Sequence, residues 1–269
     1  MGPPMQVLAA FGVAGSVPVA LDGGQGTSWR AGDLVLKPSD ADLAELAWRA
    51  GIHRELVCDG LRLAMPRTAA DGSLRVDGWC ASEHLAGAHE PGRWSETIEV
   101  GDRFHRALDG IPRPRFLDDR TSAWAIGDRV AWGEISPDEF PDVRHLRALA
   151  AAVRPVAAPS QIIHGDLSGN ILFHDVLTPA IIDLSPYWRP ASYASAIVVA
   201  DALLWEGADR QILDEVRDIE DLGQHLLRAL IFRLVSEWLL SRHESHAAAL
   251  NSAAWHQTAH LACGLAAES

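Results

Sequence analysis

The sequence predicts an α+β protein, rich in strands over its first third and helical over most of the remainder. Three observations carry that prediction. Residues 17–79 hold short apolar stretches that alternate with polar residues and are parted by Gly, Asp and Ser, the period-two pattern of half-buried strands. Beyond Pro190, apolar residues recur in steps of three and four, as in Ile197, Ala200, Leu204 and again in Leu227, Ile231, Leu234, Trp238, which marks helices with buried faces. Between these regions, residues 161–190 contain three short continuous apolar runs bounded by turn residues, and such runs read as buried strands.

Taken in order, the first 21 residues carry no charged side chain, lack the basic start of a secretory signal and are interrupted by prolines at 3, 4 and 18, so a short packing helix is expected around residues 7–11. A strand at 17–21, a glycine-rich turn at 22–27 and a hairpin with its tight turn at Ala31-Gly32-Asp33 follow. The strand at 34–37 places Leu34 and Leu36 on one face and Val35 and Lys37 on the other. Ser39, with Asp42 three residues on, is the expected cap of a helix that runs through about Ala50 and stops at Gly51. Residues 61–66 and 74–79, joined by residues 70–73, predict a second hairpin. From Arg93 the pattern turns helical until residues 110–112. Residues 111–141, rich in proline and charge with Trp124 and Trp132 interspersed, predict a long loop. Asp142 is the expected cap of a helix to about Val153. Helices are then expected at 192–206, at 210–242 with a break near Leu222-Gly223, and at 244–262. Asp201 interrupts the apolar stripe of the first of these.

With 269 residues and 48% hydrophobic content, the chain can bury a sizeable core. A formal charge of −13 argues against nucleic acid as the main partner, because phosphate binding needs clustered basic surface. The acidic excess is heavy toward the end, where residues 199–269 hold 11 Asp and Glu against 5 Arg. That suits a cationic small molecule, or simply a solvated acidic face that favours solubility. No apolar run reaches the roughly 18 residues needed to span a bilayer, so no membrane partner is expected. Three widely spaced cysteines, Cys58, Cys80 and Cys263, fit a reduced cytoplasmic protein better than a disulfide framework. The histidines do not cluster at metal spacing; His243 and His246 flank Glu244 without further ligands. Of 23 basic residues only Lys37 is a lysine, and only two asparagines exist, Asn170 and Asn251.

The stretch that organises the rest is QIIHGDLSGNILFHDVLTPAIIDLSPYWRP at 161–190, whose apolar runs lead to His164, Asp166, Asn170 and Asp183. Two acids and an amide held close together match what phosphoryl transfer asks for, a carboxylate to accept a hydroxyl proton and oxygen ligands to hold magnesium against phosphates. HGDLSGNIL followed by IIDLSP resembles the catalytic loop and metal-binding strand of the aminoglycoside and choline phosphotransferase branch of the protein-kinase-like superfamily.

The resemblance implies a two-lobed protein-kinase-like fold, a small β-rich nucleotide-binding lobe at 1–84 and a larger helical catalytic and acceptor-binding lobe at 85–269. It makes Asp166 the catalytic base, Asn170 and Asp183 the magnesium ligands, and His164 a brace of the catalytic loop. In the glycine-rich loop Gly23, Gly24, Gly26, Thr27 and Ser28 would approach the nucleotide phosphates, with Lys37 on them from the adjacent strand and Glu45 orienting Lys37. Residues 80–87 resemble the hinge of that fold, where backbone groups of Glu83, His84 and Leu85 would meet the purine. The implied activity is phosphoryl transfer from ATP, with GTP open, to a hydroxyl of a small amine-bearing acceptor. The alternative is a kinase-like nucleotide-binding protein with a sensing or scaffolding role. Two departures motivate it: three residues, not four, separate Asp166 from Asn170, and Ser185 stands where many members carry a further acid. Gly165 replaces the arginine with which protein kinases read a phosphorylated activation loop, so that control is not expected.

Overall fold

A computed structural model describes residues 2–21, 26–241 and 252–268. The chain forms two compact units, residues 1–90 with 169–184, and residues 91–168 with 185–269. The first unit therefore takes in residues 85–90 and also a late segment, 169–184, that lies in the second half of the sequence.

In the first unit, α1 (Met5–Ala10) follows the two prolines and buries Val7 and Leu8. The strands β1 (Val19–Ala20), β2 (Trp29–Ala31) and β3 (Leu34–Pro38) form an antiparallel meander, and Gly32 at φ +62° makes the expected tight turn between the last two. Leu34 and Leu36 point into a core shared with Val7, Leu8, Phe11 and Trp79, leaving Val35 and Lys37 on the opposite face. Helix α2 (Leu43–Glu55) is capped by Asp42, whose Oδ1 accepts from the Ala44 amide at 2.6 Å, and not by Ser39, whose hydroxyl accepts from Ala41 in the turn before it. Nor does the helix stop at Gly51. A glycine in a helix interior is unfavourable by only about 1 kcal/mol relative to alanine, and the buried Leu46 and His53 on either side anchor the helix across it.

After β4 (Arg62–Leu63) and β5 (Pro66–Arg67) the expected hairpin partner at 74–79 is not a strand. Gly72, Asp77 and Gly78 adopt positive φ and turn the chain there. The strand lies later, β6 (Trp79–Glu83), and runs between β3 and β5, completing a five-stranded sheet in the order β1-β2-β3-β6-β5. Whereas β7 (Gln161–His164) belongs to the second unit, β8 (Ile171–Leu172) and β9 (Ala180–Ile181) form a hairpin whose second strand pairs in parallel with β4. Ala88 bridges Phe173, and a Cβ on Gly87 would come 2.7 Å from the Phe173 carbonyl oxygen, so only glycine permits that approach.

The second unit is built on helices. Its elements are α3 (Trp94–Ala107), α4 (Phe116–Asp119), α5 (Ala123–Ala131), a 3-10 turn at Pro137–Glu139, and α6 (Leu146–Ala152). They continue with β10 (Pro186–Arg189), antiparallel to β7, then α7 (Ala191–Trp205), α8 (Ile212–Glu215), α9 (Leu222–Ser241) and α10 (Ala253–Glu268). Helix α9 is the hub, touching α5, α6, α7 and α10, and it is buried along residues 223–236. The expected break lies at its start, where Asp221 takes φ +52°. Part of the helix expected at 244–262, residues 244–251, falls outside the described residues. Helix α6 begins at Leu146, after a left-handed His145 at φ +68°, so Asp142 does not cap it.

Residues 111–141 are not a loop. Helix α5 is capped by Ser122, and its buried side is made of Ala125, Gly127, Val130 and Ala131. Small residues mute the hydrophobic periodicity and let backbones approach closely: a Cβ on Gly127 would stand 2.6 Å from the Phe232 carbonyl oxygen of α9. Among the described residues no helix is long and apolar enough to cross a membrane, and all three cysteines are free. Gly127→Ala overpacks the α5–α9 contact. It is expected to lower unfolding stability by about 1–3 kcal/mol, measured by denaturant titration followed by circular dichroism.

Candidate functional site

The first unit contributes the lysine and the two oxygen-bearing side chains expected from the sequence to meet phosphates and magnesium. Strand β3 turns Lys37 away from the core, and its Nζ donates to Asp183 Oδ1 as an ion pair across 146 residues of sequence. Both side chains remain about one third exposed, at 33% and 36%. Asp183 follows β9 in a left-handed conformation, φ +50°, which a non-glycine residue adopts only where its surroundings demand it; the next residue, Leu184, is buried. The Ile182 amide donates to the Asn170 carbonyl at 3.0 Å, which extends the β8–β9 ladder by one rung and sets Asn170 beside the strand that delivers Asp183. The shortened path to Asn170 passes through Gly169 at φ +75°, a conformation glycine takes at little cost.

The remaining predicted residues of this unit fall as follows. Glu45 is 3% exposed on α2 and pairs with Arg49 one turn on, while Lys37 pairs with Asp183. Gly26 and Thr27 are exposed, Gly26 at φ +66°, and the Ser28 carbonyl accepts from Leu21 at 3.0 Å. Gly23 and Gly24 lie outside the described residues. The amides of Glu83 and His84 donate to the Met65 and Asp33 carbonyls at 2.9 and 2.8 Å; that of Leu85 takes part in no backbone hydrogen bond among the described residues.

The second unit contributes Asp166 and a scaffold around it. Strand β7 ends at His164, which is fully buried. The His164 amide donates to His105 Nε2 of α3 at 3.0 Å, and the Asp166 amide donates back to His164 Nδ1 at 3.2 Å, so two histidines brace the turn from within. The Gly165 amide donates to the Ser185 carbonyl at 2.9 Å, and a Cβ at Gly165 would meet the ring of Tyr187 at 2.8 Å or less. Leu167 is buried against Gly101. Asp166 itself keeps 40% of its side chain exposed.

On its inner side Asp166 meets a residue that sequence reasoning missed. Arg233 of α9, 6% exposed at its side chain, forks onto Asp201 of α7 through Nε (2.8 Å) and Nη2 (2.6 Å), and Nη2 also reaches Asp166 Oδ1 at 2.8 Å. Burial alone would pull the guanidinium pKa down, but the two carboxylates hold it above its usual value, so it is always charged. A signal existed. Arg228 and Arg233 are the two charges inside the apolar run at 226–235, and such charges need partners.

Next to this lies a surface depression formed mostly by residues 111–141, lined by Arg113, Arg120, Arg129, Arg189, Asp128 and Tyr187 among others. Arg189 forks onto the buried Asp128 and reaches Glu134 at 2.6 Å. Tyr187, which walls the depression, is the ring packed on Gly165, so the depression adjoins the residue preceding Asp166. Among the described residues no group of three or more His, Cys, Asp or Glu is arranged to hold a metal ion. An ion held here would take one carboxylate and one amide from the protein, and the hard oxygen donors of Asp183 and Asn170 fit magnesium, which keeps most of its shell for water and phosphate.

Burial, with His164 adding to it, lowers the His105 pKa to about 3, so this imidazole accepts from the His164 amide in its neutral form. The unfolded chain binds a proton at His105 below the ordinary pKa of 6.5 and the folded chain does not until about 3. Stability is therefore lost as pH falls through that window. His105→Gln, which retains an acceptor but does not titrate, is expected to lose about 2 kcal/mol less stability than the unmodified protein between pH 7.5 and 5, read from urea midpoints at both pH values.

No protein-family model matches the sequence, and no curated protein matches it. Solved structures do match across nearly the whole chain. A choline/ethanolamine kinase family protein from Mesorhizobium loti has a TM-score of 0.58 at 17% identity, covering 99% of this chain and 100% of that one. An aminoglycoside phosphotransferase from Alicyclobacillus acidocaldarius has a TM-score of 0.54 at 14% identity, covering 96% and 94%. A spectinomycin phosphotransferase in complex with ADP and spectinomycin has a TM-score of 0.56 at 12% identity, covering 97% and 96%. Those likenesses establish the fold: the chain has the mixed α+β, protein-kinase-like architecture of these phosphotransferases.

Proposed function

We propose that the protein is an ATP- and magnesium-dependent phosphotransferase that acts on a hydroxyl group of a small polar acceptor. One observation carries this reading. The only lysine in the sequence forms an ion pair with the acid that ends the IID strand, and both groups stay accessible. A lysine and a carboxylate held side by side suit a nucleotide whose phosphates bind the amine while an accompanying cation binds the acid. The binding of ADP by the spectinomycin phosphotransferase supports a nucleotide as co-substrate.

In this reading Lys37 neutralises the phosphate chain. The loop ending in Gly26, Thr27 and Ser28 covers the phosphates with backbone amides. The Leu85 amide meets the purine edge. Asn170 and Asp183 hold magnesium, whose role when bound is to neutralise charge on the phosphate oxygens. Asp166 accepts the proton of the attacking hydroxyl, and the His164 and His105 brace keeps its carboxylate in place. Catalysis comes mainly from positioning and charge neutralisation. The depression beside Gly165 takes the acceptor. Its arginines and acids suit a molecule bearing polar groups of both signs, so amine-bearing acceptors such as aminoglycosides, amino sugars and amino alcohols form the first panel.

The test is ATP consumption and acceptor mass gain across that panel. Asp166→Ala is expected to reduce kcat by about 10²–10⁴-fold, and Lys37→Met to weaken nucleotide binding, read by calorimetry. Equal turnover by Asp166→Ala and the unmodified protein would refute the reading. Tight nucleotide binding with no transfer to any acceptor would point to a kinase-like sensor or scaffold instead.

A further inference from the structure

We propose that Arg233 is a positioning residue for the reaction, fixing the carboxylate of Asp166 from the protein interior; this rests on the phosphotransferase reading above. The geometry has three parts. First, the arginine is held from several sides. It forks onto Asp201 with bonds of 2.8 and 2.6 Å, and Asp201 is 4% exposed at its side chain. Aromatic rings crowd its guanidinium carbon, with Phe232, Trp124 and Trp205 at 5.0, 5.5 and 5.8 Å to their centroids. Such a cation has little freedom to follow its partner, so the partner must follow it.

Second, the same nitrogen serves both acids. Nη2 bonds Asp201 Oδ2 at 2.6 Å and Asp166 Oδ1 at 2.8 Å. One guanidinium thus shields two like charges from each other, and Asp201 acts on Asp166 through it. Third, the two acids differ in exposure. Asp201 is interior, whereas Asp166 keeps 40% of its side chain open. A carboxylate pinned at Oδ1 from inside and braced through its own amide by His164 can present only one orientation to an incoming hydroxyl.

The consequence is a division of labour along α9. The helix that holds the second unit together also carries the cation that orients the base, a service no side chain at residue 165 could supply, because Tyr187 occupies that space.

The experiment compares Arg233→Met, Arg233→Lys, Asp201→Asn and Asp166→Asn with the unmodified full chain. It measures ADP release from magnesium-ATP with the best acceptor of the panel (water if none is better), the dissociation constant of a non-hydrolysable ATP analogue, and thermal melting. Arg233→Met is expected to lower kcat by about 30- to 100-fold, the scale of a misplaced catalytic group, with nucleotide affinity and acceptor KM within about twofold. Arg233→Lys, which keeps the charge but cannot fork, is expected to recover at least about threefold of that loss. A folded Arg233→Met with kcat near or above that of the unmodified protein overturns the proposal, as does a lysine variant no better than methionine, or a loss confined to nucleotide affinity. Should Arg233→Met fail to melt cooperatively, Asp201→Asn decides. It loosens the anchor while leaving Arg233 in place and is expected to lower kcat about three- to tenfold at constant nucleotide affinity; unchanged kcat overturns the proposal. An active Asp166→Asn refutes the phosphotransferase reading itself and this inference with it, whereas an inactive Asp166→Asn beside an active Arg233→Met refutes this inference alone.

Discussion

The parallel pairing of β9 with β4 is the constraint on which the candidate nucleotide chemistry depends. Two residues of pairing, Arg62 with Ala180 and Leu63 with Ile181, bring a segment from the second half of the chain into the first unit. Everything downstream follows from that short ladder. It fixes the end of β9, the end of β9 fixes the left-handed Asp183, and Asp183 meets Lys37 from β3. Short parallel pairings are weak by themselves. The β8–β9 hairpin, the Ala88–Phe173 bridge and Arg62, which donates to the Thr178 and Ala86 carbonyls, hold the segment from three further directions.

The second unit meets a different requirement, keeping an exposed acid rigid. Asp166 sits on a turn whose backbone is tied to His164 and whose flanking residues are packed against Tyr187 and Gly101. Buried polar groups are favourable only when satisfied, and the solution here is a chain of donors and acceptors running from His105 through His164 to Asp166 on one side, and from Asp201 through Arg233 to Asp166 on the other. The hub helix α9 and the largely buried α7 supply the second path.

Much of this was legible in the residues. The alternation of β3, the helices beyond Pro190, the break before Leu222 and the convergence of Lys37 with Asp183 all follow from short-range pattern or from the HGD and IID motifs. What the residues concealed shares a cause: interactions made at a distance or with small side chains. Helix α5 hides behind Ala and Gly, because its packing on α9 depends on small residues. The strand β6 hides because its neighbours in the sheet, not its own sequence, decide that Trp79–Glu83 pairs while residues 74–78 turn. Asp42 displaces Ser39 as the α2 cap through a choice of entry angle that local propensity leaves open. Arg233 stands out within an apolar stripe as a charge in need of a partner, but that the partners are Asp201 of another helix and Asp166 of a distant turn is not written in its own neighbourhood.

The solitary ε-amine has a practical side. Amine-selective reagents that form stable amides have one side-chain amine to modify in this sequence, and that amine is partly open and paired with a carboxylate. Peptide mapping after such labelling therefore reports the state of one ion pair with little background from the rest of the surface. A protein whose surface cations are otherwise all arginine thus carries its own site-directed probe.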